Sequence, residues 1–428
     1  MQSYNIQPLA APITAKIVMP GSKSYSNRAL IMASLANGES VLKNVSVGDD
    51  SAVLISALRQ LGIVIKQTGS MASVIGNGGK FLPVKCAINV GAAGTAMRFL
   101  TAFCACVPGE IILDGSERMR ARPIGPLVDA LRGLGANIEY QNDSGFPPLF
   151  IKGATLPGGD VEILGSVSSQ YITALLLTAP LLAEGLVLKV IGEQISASYI
   201  AMTIAGLKDF GIKVEQPENN IYYVKAGQIY QAREYSIEGD ASGASYLWAI
   251  AALTGSTIKL ENINPNSAQG DVAFVDILER MDCKVTKDIH GQAITVQGPK
   301  QLKAINVDMS NMPDTAQTLA VVAAFADGES NITGLSTLKI KETDRLLALQ
   351  QELAKMGIQT KIGPDFITVS GGEPRGAVID TYDDHRMAMA FASAGAKIPG
   401  LAVNNPSVVS KSFPSFWDEL RNLGIIIF

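Results

Sequence analysis

The chain has 428 residues, more than one hydrophobic core organises, so two domains are expected. A hydrophobic content of 47% with only 17% charged residues excludes a disordered chain, and the net charge of −4 argues against nucleic acid as a partner, leaving small anions to local basic sites. Cys86, Cys104, Cys106 and Cys283 lack CxxC spacing and only His290 and His385 could join them, which speaks against a zinc site and for buried reduced thiols.

In chain order, the first six residues lack a basic segment leading into an apolar core, and the apolar run 172–182 is interrupted by Pro180 and followed by Glu184, so a soluble, cytoplasmic protein with no membrane segment is expected. The first distinctive stretch is Pro20-Gly21-Ser22-Lys23-Ser24-Tyr25-Ser26-Asn27-Arg28, which runs into a helical apolar pattern at 29–36. Gly21 admits close backbone approach, Ser22 or Ser24 can cap the helix, and the N–H groups of its first turn carry partial positive charge. A phosphate or carboxylate fits such a place, with Lys23 and Arg28 adding full charges. A Walker loop is excluded, because that motif has Gly immediately before the Lys and Ser22 stands there.

The same design recurs every 70 to 75 residues or so. Small or polar clusters open a helix at Gly21-Ser22-Lys23-Ser24, Gly91-Ala92-Ala93-Gly94-Thr95, Gly165-Ser166-Val167-Ser168-Ser169, Gly239-Asp240-Ala241-Ser242-Gly243, Pro313-Asp314-Thr315 and Asp383-Asp384-His385-Arg386. A second marker keeps the same interval. Helix ends are expected at Leu61-Gly62-Ile63, Leu134-Gly135-Ala136, Phe210-Gly211-Ile212, Met281-Asp282-Cys283, Met356-Gly357-Ile358 and Leu423-Gly424-Ile425, with Gly, or once Asp, where a left-handed cap is wanted. The first unit predicts a strand at 15–19, a helix at 24–36, a strand at 41–45, a helix at 50–61 capped by Asp49 and Asp50, and a hairpin of 64–66 with 72–75. That is βαβαββ, six times over. The sixth unit ends at Ile425-Ile426-Ile427-Phe428 without a partner strand, and the N-terminal segment 4–9 has no unit of its own, so the one should complete the other. The expected organisation is α/β (α+β), three repeats per domain: a discontinuous domain of 1–20 and 239–428, and an inserted domain of 21–238, with hinge crossings near 20 and 238.

Several clusters carry chemistry. Glu117-Arg118-Met119-Arg120-Ala121-Arg122-Pro123 places three arginines in five residues before Pro at an expected helix start, a source of a bidentate guanidinium or simply a solvated basic loop. Ser168, Ser169, Gln170 and Ser196 are uncharged partners for a phosphate or a sugar-like ring, or helix caps. Asp314 is a reactive carboxylate or an N-cap; Glu342 and Arg345, within Lys341-Glu342-Thr343-Asp344-Arg345, are site residues or a surface ion pair. Asp384, His385, Arg386 and Lys411 are site residues or solvated polar residues, and a lone His is more often structural than catalytic. Position favours function, since Asp314 and Arg386 open the first helices of repeats five and six where Lys23 and Gly94 stand in repeats one and two.

The ordered series Pro-Gly-Ser-Lys-Ser…Asn-Arg, Gly-Thr-Ala-Met-Arg, Arg-Pro-Ile-Gly, Gly-Ser-Val-Ser-Ser-Gln, Pro-Asp, Lys-Glu-Thr-Asp-Arg, Asp-His-Arg-Met-Ala-Met and Lys-Ser-Phe-Pro resembles the 5-enolpyruvylshikimate-3-phosphate synthase family over the whole chain. The resemblance implies a two-domain inverse α/β barrel (the enolpyruvyl transferase fold) and transfer of the enolpyruvyl group of phosphoenolpyruvate to the 5-hydroxyl of shikimate 3-phosphate. It implies shikimate 3-phosphate bound by Lys23, Ser24, Arg28, Ser168, Ser169, Gln170, Ser196, Tyr199, Asp314 and Lys341, and phosphoenolpyruvate by Lys23, Gly94, Arg122, Gln170, Arg345, Arg386 and Lys411. Lys23, Asp314 and Glu342 would handle protons. No metal or organic cofactor is expected, because phosphoenolpyruvate is itself an activated donor; the expected partners are these two small molecules, with no nucleic acid and no membrane, and the chain is expected to be a monomer. Two departures from many members, Ala92 for Asn and Phe99 for Pro, lie beside the expected phosphoenolpyruvate pocket and predict an altered response to glyphosate, unless Phe99 is only core. Two other functions compete: enolpyruvyl transfer to a UDP-amino sugar, whose enzymes use a Cys absent from 114–121 here, and non-catalytic anion binding, which would not need Asp314 and Glu342 among the cations.

Overall fold

The computed structural model describes residues 2–428. Its regularity is set at the helix ends. The second helix of each repeat, Asp49–Gln60, Gly125–Gly133, Ala197–Asp209, Phe274–Arg280, Arg345–Lys355 and Phe416–Asn422, stops in the same way. In the first, the N–H of Gly62 bonds Arg59 O and that of Ile63 bonds Leu58 O, each at 3.0 Å. This double bond pattern satisfies the last carbonyls and needs a left-handed residue in the middle. The pattern recurs at all six places, with φ of 89°, 97°, 84°, 81° and 86° at Gly62, Gly135, Gly211, Gly357 and Gly424, and 76° at Asp282. Asp is among the few side chains that accept this conformation.

The first helices, Lys23–Leu35, Gly94–Ala105, Ser169–Thr178, Ala241–Thr254, Ala316–Ala323 and His385–Gly395, are buried on nearly every side. Small and aliphatic residues all round make them interior helices, so a polar side chain near their first turns is held in a dry, positively polarised setting. Each repeat adds a four-stranded sheet made of a parallel pair and an antiparallel hairpin, as in Val84–Asn89 beside Gly109–Asp114, Leu149–Gly153 and Asn137–Tyr140. Alternate strand residues face outward, and the inner faces cover the helices.

Two sequence expectations are corrected here. The strand expected to open repeat one, Thr14–Val18, instead pairs in parallel with Thr257–Glu261 in the sheet of repeat four, and the parallel neighbour of Asn37–Lys43 is Glu234–Ser236. The chain passes from one unit to the other between that strand and the helix that follows it, so each sheet takes the strand that lies in its own unit. The Asp49-Asp50 pair is not a cap: Gly48 is the N-cap of Asp49–Gln60, and both acids lie in its first turn, where they favour the positive helix end. The N-terminal strand Ser3–Gln7 lies between Leu401–Asn404 and Ile426–Ile427, antiparallel to both.

The chain divides into two compact units, Met1–Ser22 with Glu238–Phe428, and Lys23–Ile237. Within the first unit the two crossing segments are tied together: Gly21 and Gly239 form an antiparallel bridge, the Ser22 N–H bonds Glu238 O at 2.8 Å, and the Asp240 N–H bonds Pro20 O at 2.9 Å. Only glycine fits at 239, because a Cβ there would stand 2.4 Å from Asn262 O. Cys104, Cys106 and Cys283 are buried free thiols, and burial pushes Cys106 and Cys283 up to about 12; Cys86, expected to be buried as well, is partly exposed because it sits on an outer strand. Among the described residues no helix is long and apolar enough to cross a membrane.

Candidate active site

In the Lys23–Ile237 unit, Lys23 is the first residue of its helix, and its Nζ lies 3.1 Å from Oδ2 of Asp50 in the first turn of the next. Arg28, one and a half turns further on, is buried. It donates to Thr203 Oγ1 (2.9 Å), Thr173 Oγ1 (3.4 Å), and the backbone carbonyls of Ser24 (2.9 Å) and Tyr199 (2.9 Å). These bonds gather Lys23, Ser24, Arg28 and Tyr199, with Ser196 adjoining through the Tyr199 N–H, which bonds Ser196 O at 3.1 Å.

The Gly94 helix starts against Arg122. A Cβ at 94 would lie 2.7 Å from Arg122 Nη1 and 2.9 Å from Nη2, so glycine is what lets the guanidinium reach the helix end. Buried Arg98 holds this arrangement by donating to Gly94 O (3.3 Å) and Pro123 O (3.0 Å). Gln170 Nε2 donates to Thr95 Oγ1 at 3.2 Å, joining the Ser169–Thr178 helix to the same place. Of the three clustered arginines, Arg120 pairs outward with Asp114 while Arg122 is buried. Pro123 opens no helix; its carbonyl accepts from Arg98 and Tyr171 instead. Ser168 caps its helix, accepting from the Gln170 N–H at 3.2 Å, and Ser169 is buried beside it. Ser196 precedes the Ala197–Asp209 helix at φ 54° without a side-chain cap bond, a strained conformation that leaves its hydroxyl off the helix end. Phe99 is interior and Ala92 is exposed in the turn before Gly94.

The other unit holds a denser cluster. Arg345, 1% exposed, is the first residue of its helix, with Asp344 as N-cap. Its Nε donates to Asp384 Oδ2 (2.7 Å), its Nη2 to Glu342 Oε2 (2.9 Å) and its Nη1 to Asp314 Oδ1 (3.3 Å). Burial lowers its pKa, but Asp384, then Glu342, then Asp314 outweigh that and hold it above the ordinary arginine value. Arg386 donates to Asp314 Oδ2 (2.9 Å), to Asp314 O (2.9 Å) and to the Tyr246 hydroxyl (3.4 Å). Lys411 Nζ reaches Glu342 Oε1 at 2.7 Å, and Lys341 Nζ lies 3.8 Å from Asp314 Oδ1. Asp314, Lys341, Glu342, Arg345, Arg386 and Lys411 are therefore one contiguous network.

Asp314 is not an N-cap, since the 3-10 turn Pro313–Thr315 contains it and its carboxylate is taken by arginines. Nor is the Glu342 pair with Arg345 a surface one, because both side chains are shielded. Both carboxylates supply counter-charge to buried cations. Tyr246 and Asp271 escape the sequence reading, in which Asp50 is a cap and Asp384 stands open between a site residue and a solvated one. Asp384 caps His385–Gly395 by accepting from the Arg386 N–H at 2.9 Å while holding Arg345, and its place in Asp-His-Arg was the signal available. Asp271 accepts from the Ser242 hydroxyl; burial, then Asp314, pushes its carboxyl up to about 7. His385 is buried with Nδ1 3.6 Å from Asp384. No group of three or more His, Cys, Asp or Glu is placed to hold a metal among the described residues.

Interior helix ends that hold cations, with carboxylates placed among them, define an enzyme of small anionic molecules. Comparison with known proteins gives the rest. Residues 9–420 match the family model for EPSP synthase (3-phosphoshikimate 1-carboxyvinyltransferase). The chain is 40% identical over 430 residues to a 3-phosphoshikimate 1-carboxyvinyltransferase of Sulfurovum, covering 99% of each chain, and 41% identical over 429 residues to one of Escherichia coli, with 99% of each covered. A solved EPSP synthase of Acinetobacter baumannii superposes with a TM-score of 0.85 at 25% identity, covering 100% of both chains. The chain belongs to the EPSP synthase family, and its fold is that family's two-domain α/β fold.

Proposed function

We propose that the chain transfers the enolpyruvyl group of phosphoenolpyruvate to the 5-hydroxyl of shikimate 3-phosphate, releasing phosphate, in aromatic amino-acid biosynthesis. The observation that carries the mechanism is the pair Asp314 and Glu342, two carboxylates held among Lys341, Arg345, Arg386 and Lys411. In a site that only bound anions they would cost affinity. In a transfer reaction they supply proton acceptors and donors.

The hydroxyl oxygen attacks C2 of the enolpyruvyl group, its proton passes to Asp314, and C3 takes a proton from Lys23 or Glu342. The resulting tetrahedral ketal expels phosphate as C3 returns its proton. Lys23, Arg122, Arg345, Arg386 and Lys411 hold phosphoenolpyruvate with Gly94 and Gln170; Lys23, Ser24, Arg28, Ser168, Ser169, Gln170, Ser196, Tyr199, Asp314 and Lys341 hold the acceptor. Before substrate arrives Lys23, Lys341, Arg345, Arg386 and Lys411 lean on carboxylates, so they are already placed and reorganise little when phosphate and carboxylate groups replace those contacts. No cofactor enters, since the donor is activated by its own enol phosphate. The enzyme acts as a cytoplasmic monomer, and the crossings near 20 and 238 serve as its hinge; an unchanged radius of gyration at saturating shikimate 3-phosphate would count against that hinge. Phosphate release requiring both substrates together is the test of the function. Release with a UDP-amino sugar as acceptor, or none with either, would refute it.

A further inference from the structure

We infer that Phe99 is a positioning residue for Arg28: inside the Lys23–Ile237 unit its ring face holds the guanidinium where it meets shikimate 3-phosphate. The inference rests on the role given to Arg28 in the function proposed above. The Arg28 Cζ lies 5.6 Å from the Phe99 ring centroid, and the two residues are 2% and 1% exposed. They meet because each is the sixth residue of a first helix, Lys23–Leu35 and Gly94–Ala105, so the repeat puts them in one layer of the interior.

Arg28 differs from the buried arginines Arg345 and Arg386 of the other unit in the company it keeps. Every group it bonds, Thr203, Thr173, Ser24 O and Tyr199 O, is neutral. In the other unit Arg345 and Arg386 are each met by carboxylates. A buried cation without counter-charge is costly, and burial brings the Arg28 pKa down to about 10, with Tyr25 and Tyr199 opposing. The negative face of an aromatic ring offsets part of that cost without cancelling the charge, which a carboxylate would do. The cation therefore stays available to an arriving anion. An aliphatic side chain of the same bulk would fill the space and supply no such field, so the residue at 99 does more than pack.

The test replaces Phe99 in the full chain with mono-, di- and trifluorophenylalanine, which drains the ring face at nearly constant volume, beside Phe99→Leu and Arg28→Lys. The dissociation constant for shikimate 3-phosphate should rise stepwise along the series, by about fivefold or more in total, with Phe99→Leu at least matching its end. The KM for phosphoenolpyruvate at saturating acceptor and the melting temperature should hold across the fluorinated series. A flat series, or one that moves both substrates equally, overturns the positioning role while leaving the proposed function intact if Arg28→Lys still weakens the acceptor. If Arg28→Lys leaves acceptor binding unchanged, the role given to Arg28 fails, and the inference fails with it.

Discussion

Asp384→Asn asks how much the buried network contributes, because it changes charge and almost nothing else. The side chain is fully buried, accepts from Arg345 at 2.7 Å, and caps its helix through the Arg386 N–H at 2.9 Å. Asn caps as well as Asp and has the same shape, so the cap survives. Breaking a buried ion pair from one side costs about 3 to 5 kcal/mol. Arg345 keeps Glu342 at 2.9 Å and Asp314 at 3.3 Å, and an amide is cheaper to bury than a carboxylate. Both facts place Asp384→Asn near the low end, about 3 kcal/mol, with Asp384→Ala costing about 1 kcal/mol more for the lost cap. The assay is built in: Trp248 and Trp417 are the chain's two tryptophans and both lie in the unit that holds Asp384, so their fluorescence follows that unit's unfolding. With a urea m-value of about 3 kcal/mol/M, the Asn variant should shift the midpoint down by about 1 M. A midpoint within about 0.3 M of the parent would refute the argument, since the pair would then contribute nothing net of its own desolvation.

Lys23→Met should lower kcat well beyond tenfold with the fold retained; more than about a tenth of the parent rate, a barrier change under roughly 1.4 kcal/mol, would remove Lys23 from the chemistry. Gly94→Ala puts a methyl against Arg122 Nη1 at 2.7 Å, which must yield, and should raise the phosphoenolpyruvate KM about five- to thirtyfold with little change for the acceptor; steady-state kinetics with each substrate varied decides it. Asp271, pushed up to about 7 by burial and then by Asp314, binds its proton more tightly folded than unfolded, so its contribution is complete below about pH 4 and lost as pH rises through about 7. Asp271→Asn should therefore flatten the fall in stability between those limits, and identical slopes in the two proteins would refute this. Dialysis against a chelator should leave activity unchanged; loss restored by magnesium would contradict cofactor-independent transfer.

Repeat architecture was legible because its punctuation is local. A left-handed residue after the second helix is a constraint on one position, and all six sites, Asp282 included, obey it. Strand partnership is not local, which is why Thr14–Val18 was assigned to repeat one: its sequence is equally suited to either sheet, and only the chain's passage between units decides. Among site residues the cations were visible from their motifs, as were the carboxylates Asp314 and Glu342, but the partners Asp50 and Asp384 were not read as counter-charges. Asp50 read as a cap and Asp384 as a solvated polar residue, because a carboxylate at a helix start looks the same whether it faces an N–H, water or a guanidinium across the fold. Tyr246 sits in an unbroken apolar helix, and Asp271 in a four-residue turn, where nothing in the sequence marks them as neighbours of Arg386.

The pairing of Ser3–Gln7 has a consequence for how the molecule is made. Ser3 and Asn404, bonded through their side chains, stand 401 positions apart. Ser3–Gln7 is made about 400 residues before Leu401–Asn404, so it must wait for that synthesis before its neighbour exists. The segment from Lys23 to Ile237 has no such wait, because Glu234–Ser236 arrives in the same segment and closes the sheet begun by Asn37–Lys43. It can therefore fold during synthesis, carrying the idle N-terminal strand on its leading edge. That order brings the two crossing segments close before the second half emerges, so the long loop that Ser3–Gln7 must close to reach Leu401–Asn404 is already shortened by a folded body.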